Sequence, residues 1–163
     1  MANEKLSKYE KHERSLMEQF FYSFPTKIKT YYFTPPNSYS IYDGSYTTTE
    51  NVEVCFEVKV RNFEYTKYDT YILESGKLKN MIKLGKEIRY INFFKNDKGF
   101  YDMIVFDLSK RVKQWTIDGK VPVETKMMNA ATFKSRYDKI EKQVVMLKYD
   151  PNIDTLIKDT QWK

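Results

Sequence analysis

The run from Val52 to Val60 puts a carboxylate and an ammonium two residues apart in Glu57-Val58-Lys59, with Asp43 fourteen residues before Glu57. Alternation along an extended chain sends Val54, Phe56, Val58 and Val60 to one face and Glu53, Cys55, Glu57, Lys59 and Arg61 to the other. An acid and a lysine then share a face beside a second acid from the preceding segment. Two carboxylates suit a hard divalent cation that keeps several waters. An adjacent ammonium neutralises charge developing on a phosphodiester. Two plainer readings fit the same residues. Alternating Glu and Lys describes a solvated face of an antiparallel sheet, and Asp43-Gly44 is a hairpin-turn pair.

Composition removes other chemistries. His12 is the sole histidine and Cys55 the sole cysteine, which excludes histidine-rich metal sites, thiolate zinc sites and intrachain disulfides. The five glycines form no phosphate-cradling loop, and no Gly-x-Ser-x-Gly motif is present. Carboxylates, lysines and tyrosines remain. A net charge of +6 favours an anionic partner, nucleic acid first, although lysine-rich surfaces also serve solubility alone. No apolar run approaches a bilayer span and no signal pattern follows Met1, so no membrane partner is expected. Together with the free thiol, this points to a cytoplasmic, intracellular location.

The elements that must position these residues follow from periodicity. Residues 4–24 read as a helix with Leu6, Tyr9, Leu16, Met17, Phe20 and Phe24 on one stripe, ended by Pro25. Glu13 falls on that stripe; it either snorkels to water at the edge or aims at a buried polar site. Strands are expected over residues 27–34, 38–48 and 52–62. A second helix is expected over Lys67 to Leu84, with Tyr68, Tyr71, Ile72, Leu78 and Ile82 inside and Lys79 at the margin of that face. Strands follow over 88–95 and 100–108, around the turn Asn96-Asp97-Lys98-Gly99. Residues 109–128 are less regular. Phe133, Tyr137, Ile140, Val144 and Leu147 predict a last helix over Thr132 to Lys148, before an irregular tail that packs Ile153, Leu156, Ile157 and Trp162 on the body. At 163 residues this is one domain, with a core over about residues 4–108 and the C-terminal helix and tail over 130–163. The class is α/β: a mixed β-sheet flanked by helices.

This order, with Asp43 and Glu57-Val58-Lys59 in it, resembles the PD-(D/E)XK nuclease superfamily, which includes restriction enzymes and Holliday-junction resolvases. Asp43 matches the first acid, although Tyr42 stands where the family name has proline. Glu57-Val58-Lys59 matches the (D/E)-x-K. Glu13 is similar to the extra first-helix acid of resolvase-type members. Glu124-Thr125-Lys126 and Asp118-Gly119-Lys120 also fit the short motif, but neither follows an acid along a β-patterned run. The resemblance implies a restriction-endonuclease-like fold with an α-β-β-β-α-β core. It implies a metal-dependent DNA endonuclease, resolvase-like or phage-type, that leaves a 5′-phosphate. Mg2+, with Mn2+ as substitute, would be held by Asp43, Glu57 and the Val58 carbonyl, and by Glu13 through water. Lys59 would orient the attacking water. Lys79 and Lys77 would reach a backbone phosphate, and Tyr65 or Tyr46 would stack on unpaired bases. Two-strand cutting would favour a homodimer. The competing expectation is a non-catalytic nucleic-acid-binding or protein-interaction module on the same fold.

Overall fold

The computed structural model describes residues 6–36, 40–129 and 139–163. A capping box opens α1 (Lys8–Ser23): the Ser7 hydroxyl accepts from the Glu10 N–H at 3.1 Å, and the Glu10 carboxylate accepts from the Ser7 N–H at 2.8 Å. The inner face of α1 buries Leu16, Met17, Phe20 and Phe21, so the buried stripe begins halfway along; Tyr9, expected on it, is exposed. Next come β1 (Ile28–Phe33), β2 (Gly44–Thr48) and β3 (Glu53–Arg61), an antiparallel meander. The chain continues through β4 (Tyr71–Glu74), α2 (Ser75–Ile82), β5 (Glu87–Lys95) and β6 (Tyr101–Asp107). It ends with α3 (Leu108–Asp118), β7 (Val123–Asn129), β8 (Lys139–Leu147) and β9 (Thr155–Ile157).

Six strands form a mixed sheet in the order β1-β2-β3-β5-β6-β9, and β4-β8-β7 form a second, antiparallel sheet. Within the large sheet β3 and β5 run parallel, Glu57 opposite Tyr90 and Lys59 opposite Asn92. The crossover that parallel pairing requires is supplied by β4 and α2. The even-numbered residues of β3, Val54, Phe56 and Val58, meet α1 and Trp162 in one core. Cys55, on the other face, joins Leu73, Leu78, Met81, Ile88, Phe94, Val145 and Leu147 in a second core under α2 and the small sheet. The alternation expected for β3 therefore holds, but its polar face is covered at Cys55 and Glu57 and solvated only at Glu53 and Lys59.

Two expected helices are corrected. The segment expected as one helix over Lys67 to Leu84 is β4 followed by the shorter α2. Tyr71 and Leu73 are buried by period-two alternation, because they pair with Leu147 and Val145 of β8. Among the described residues the C-terminal helix is absent: residues 139–147 form β8, flanked on both edges by β4 and β7. The adjacent β-branched pair Val144-Val145 suits this central strand. The helical spacing of Ile140, Val144 and Leu147 is coincidental; Phe133 and Tyr137 lie outside the described residues. The "less regular" stretch contains α3, capped by Asp107, whose carboxylate accepts from the Lys110 N–H at 2.9 Å, and ended by Gly119 at φ 67°. Among the described residues no helix is long and apolar enough to cross a membrane.

Candidate functional site

Pairing of β2 with β3 begins at Gly44, opposite Phe56. Gly44 is required there by close approach: a Cβ would sit 2.5 Å from the Tyr32 carbonyl oxygen and 2.6 Å from the Phe56 ring. Immediately before it, Asp43 is pinned through its backbone. Its N–H donates to the Phe56 carbonyl, and its own carbonyl accepts from the Thr34 N–H and hydroxyl, each at 2.9 Å. Asp43 is thus neither the tip of a hairpin nor a free turn residue. Its carboxylate takes over where the strand stops, accepting the Val58 N–H at 2.8 Å. In an extended strand the N–H and C=O of one residue face the same edge, so the Val58 carbonyl also looks toward the Asp43 side.

Glu57 is 8% exposed. Its carboxyl lies within hydrogen-bonding reach of Asp43 and is ion-paired with Lys77 from α2. Burial, and then the facing Asp43 charge, push its pKa up to about 8 against the pull of Lys77. Burial works against the Lys77 ammonium as well, but Glu57 and Asp43 more than offset it, so its pKa is raised. Glu13, half-buried on α1, is pushed up to about 7 by burial and then by Asp43, with Lys59 opposing. Asp43 and Lys77 thus act on both Glu13 and Glu57, and Lys59 acts on Glu13. Near neutral pH the Glu57 carboxyl retains its proton. Among the described residues no three His, Cys, Asp or Glu side chains are gathered closely enough to hold a metal ion together. The close donor set is the Asp43–Glu57 pair with the Val58 edge; Glu13 acts on it through charge.

Other expected contributors are redistributed. The start of α2 at Ser75 fixes the helix phase, burying Leu78 and Met81. That phase swings Lys77 to Glu57 and leaves Lys79 exposed, beside an open apolar groove lined by Leu78, Val112 and Trp115. Of these two lysines, Lys77 is the one turned toward the carboxyl pair. Tyr46 is buried among Phe20, Phe21 and Phe56 and cannot stack on a base. Tyr65 is half-buried against Phe94. Glu124 and Lys126 are exposed on β7, paired with each other at 3.4 Å, and Asp118-Gly119-Lys120 is the end of α3. One group went unforeseen: Asn92, fully buried on β5, which accepts from Arg61 of β3. Its signal was a lone amide within the apolar run Tyr90-Ile91-Asn92-Phe93-Phe94.

Comparison with protein-family models, with curated proteins and with solved structures finds no match to this chain.

Proposed function

We propose that this chain is a metal-dependent DNA endonuclease on a restriction-endonuclease-like core, α1-β1-β2-β3-α2-β5. The observation that carries the reading is the Asp43–Glu57 carboxyl pair facing the Val58 edge of β3, with Lys59 next along the same face.

The donor set fits a small hard cation. A buried Glu57 carboxyl raised by the facing Asp43 charge is short of positive charge, and a backbone carbonyl faces the same side. Magnesium held by Asp43, Glu57 and the Val58 carbonyl, or manganese in its place, would supply a polarised phosphodiester and a bound water of lowered pKa. The chain's own groups do the rest. Lys59 neutralises charge developing on the phosphate and orients the water. Glu13, with a pKa of about 7, is able to give and take a proton at working pH. Lys77 holds the Glu57 carboxyl in orientation. Surplus lysines hold the DNA backbone, so binding weakens steeply with salt.

The test is cleavage of supercoiled plasmid and of branched duplexes with Mg2+ or Mn2+. Wild type should cut, and Asp43→Ala and Lys59→Ala should each lose at least about a hundredfold in rate while still binding DNA. Wild type that binds these substrates and never cuts them would instead support a non-catalytic nucleic-acid-binding module. The existing Lys77–Glu57 ion pair favours that second reading, since a purely structural pair has the same form.

A further inference from the structure

Arg61 ends β3, two residues beyond Lys59 and four beyond Glu57 on the same face. It is half-exposed, and its guanidinium is held in place. Nε donates to Asn92 Oδ1 at 3.0 Å and one Nη donates to the Tyr90 hydroxyl at 3.1 Å. That hydroxyl passes its own hydrogen to the Ile72 carbonyl at 3.1 Å. The Tyr71 ring lies 5.9 Å from the guanidinium carbon. Both holding groups are buried and neutral.

Among the described residues the charge they hold has no counter-ion. Arg89 pairs with Glu87 and Asp107, and Arg111 pairs with Asp154. Among the described residues no carboxylate pairs with Arg61, and its remaining guanidinium N–H groups have no acceptor there. A guanidinium carries five N–H groups in a planar fork that matches phosphate oxygens. Asn92 adds a second anomaly: among the described residues its buried Nδ2 donor makes no hydrogen bond. Leaving such a donor unpaired costs on the order of 1–3 kcal/mol, a penalty an apolar residue would avoid if packing were the only requirement. The cost is explained if Asn92 is kept to aim Arg61.

We infer that Arg61 is a binding site for a backbone phosphodiester of DNA, adjacent to the phosphodiester at the Asp43–Glu57 pair, with Asn92 and Tyr90 as its positioning residues. This rests on the nuclease reading above. The neutral cradle leaves the charge unquenched and fixes the fork before DNA arrives, which lowers the ordering cost of binding.

The experiment is fluorescence anisotropy with a labelled duplex and a labelled branched DNA, in chelator so that nothing is cut, across a potassium chloride series. Arg61→Ala should weaken binding on the order of tenfold and lower the slope of log affinity against log salt by about one. Arg61→Lys should keep the slope but lose affinity, because the charge survives and the fork does not. Asn92→Leu should also weaken binding while its urea stability equals or exceeds wild type, an outcome a purely structural Asn92 would not give. Wild-type affinity and slope in Arg61→Ala overturn the inference and leave the nuclease reading standing. Wild type that binds neither DNA overturns both. Should Arg61→Ala not fold by circular dichroism, Arg61→Lys and Asn92→Leu decide, and unchanged affinity in both overturns the inference.

Discussion

Replacing Glu57 by Gln removes a charge that the fold holds at a cost. Glu57 is almost fully buried and faces Asp43, and its pKa stands at about 8 against an ordinary 4.5. Between those values the folded chain keeps the Glu57 proton while the unfolded chain has released it. Stability therefore falls as pH rises through the window, by at most about 1.4 kcal/mol per pH unit and on the order of 4 kcal/mol from about pH 5 to pH 9. Gln keeps an oxygen that accepts from Lys77 but cannot ionise. Glu57→Gln and wild type should be close in stability near pH 5, and the variant should pull ahead by that amount toward pH 9. The assay is urea unfolding followed by circular dichroism at each pH, in chelator. Millimolar Mg2+ should then narrow the gap at high pH by stabilising wild type alone. A wild-type-to-variant difference that stays flat with pH would falsify the buried, facing pair, as would one in which wild type gains.

Two further substitutions probe the scaffold. Gly44→Ala puts a methyl group against the Tyr32 carbonyl and the Phe56 ring, and should cost about 1–3 kcal/mol in thermal unfolding; cleavage should drop with it, since Asp43 is the preceding residue. Asp154→Ala strands the buried Arg111, whose carboxylate partner also accepts from the Asp107 and Asp150 N–H groups at 3.0 Å each. The urea midpoint should fall by the equivalent of about 3–5 kcal/mol, with cleavage per folded molecule unchanged.

The strands around the site were legible because each carries its own period. The alternation of Val54, Phe56 and Val58 against Cys55 and Glu57 is decided within one strand, and β5 and β6 announce themselves around the Asn96–Gly99 turn. Elements whose identity depends on a distant partner were not legible. Tyr71-Ile72-Leu73 is a strand only because β8 lies beside it, and β8 in turn imitates a helix in its spacing. That misreading propagated to the site. A helix begun at Lys67 has the wrong phase at its end, which put Lys79 at the margin of the inner face and Lys77 outside it. The acids fared better. Glu13 stood out as a carboxylate on an apolar stripe, and the structure places it where burial raises its pKa. The Arg61–Asn92 contact joins residues on two strands that pair only through a parallel crossover, so no local pattern could announce it.

That crossover also sets an order of events. Asp43 and Glu57 belong to a local antiparallel meander, whose contacts close quickly at little entropic cost. Lys77 arrives only when residues 62–86 have wound across to seat β5 beside β3 and β4 beside β8. During folding the two carboxyls therefore meet before their ammonium does. In that interval only a proton on the pair offsets the missing lysine, so refolding should slow as pH rises.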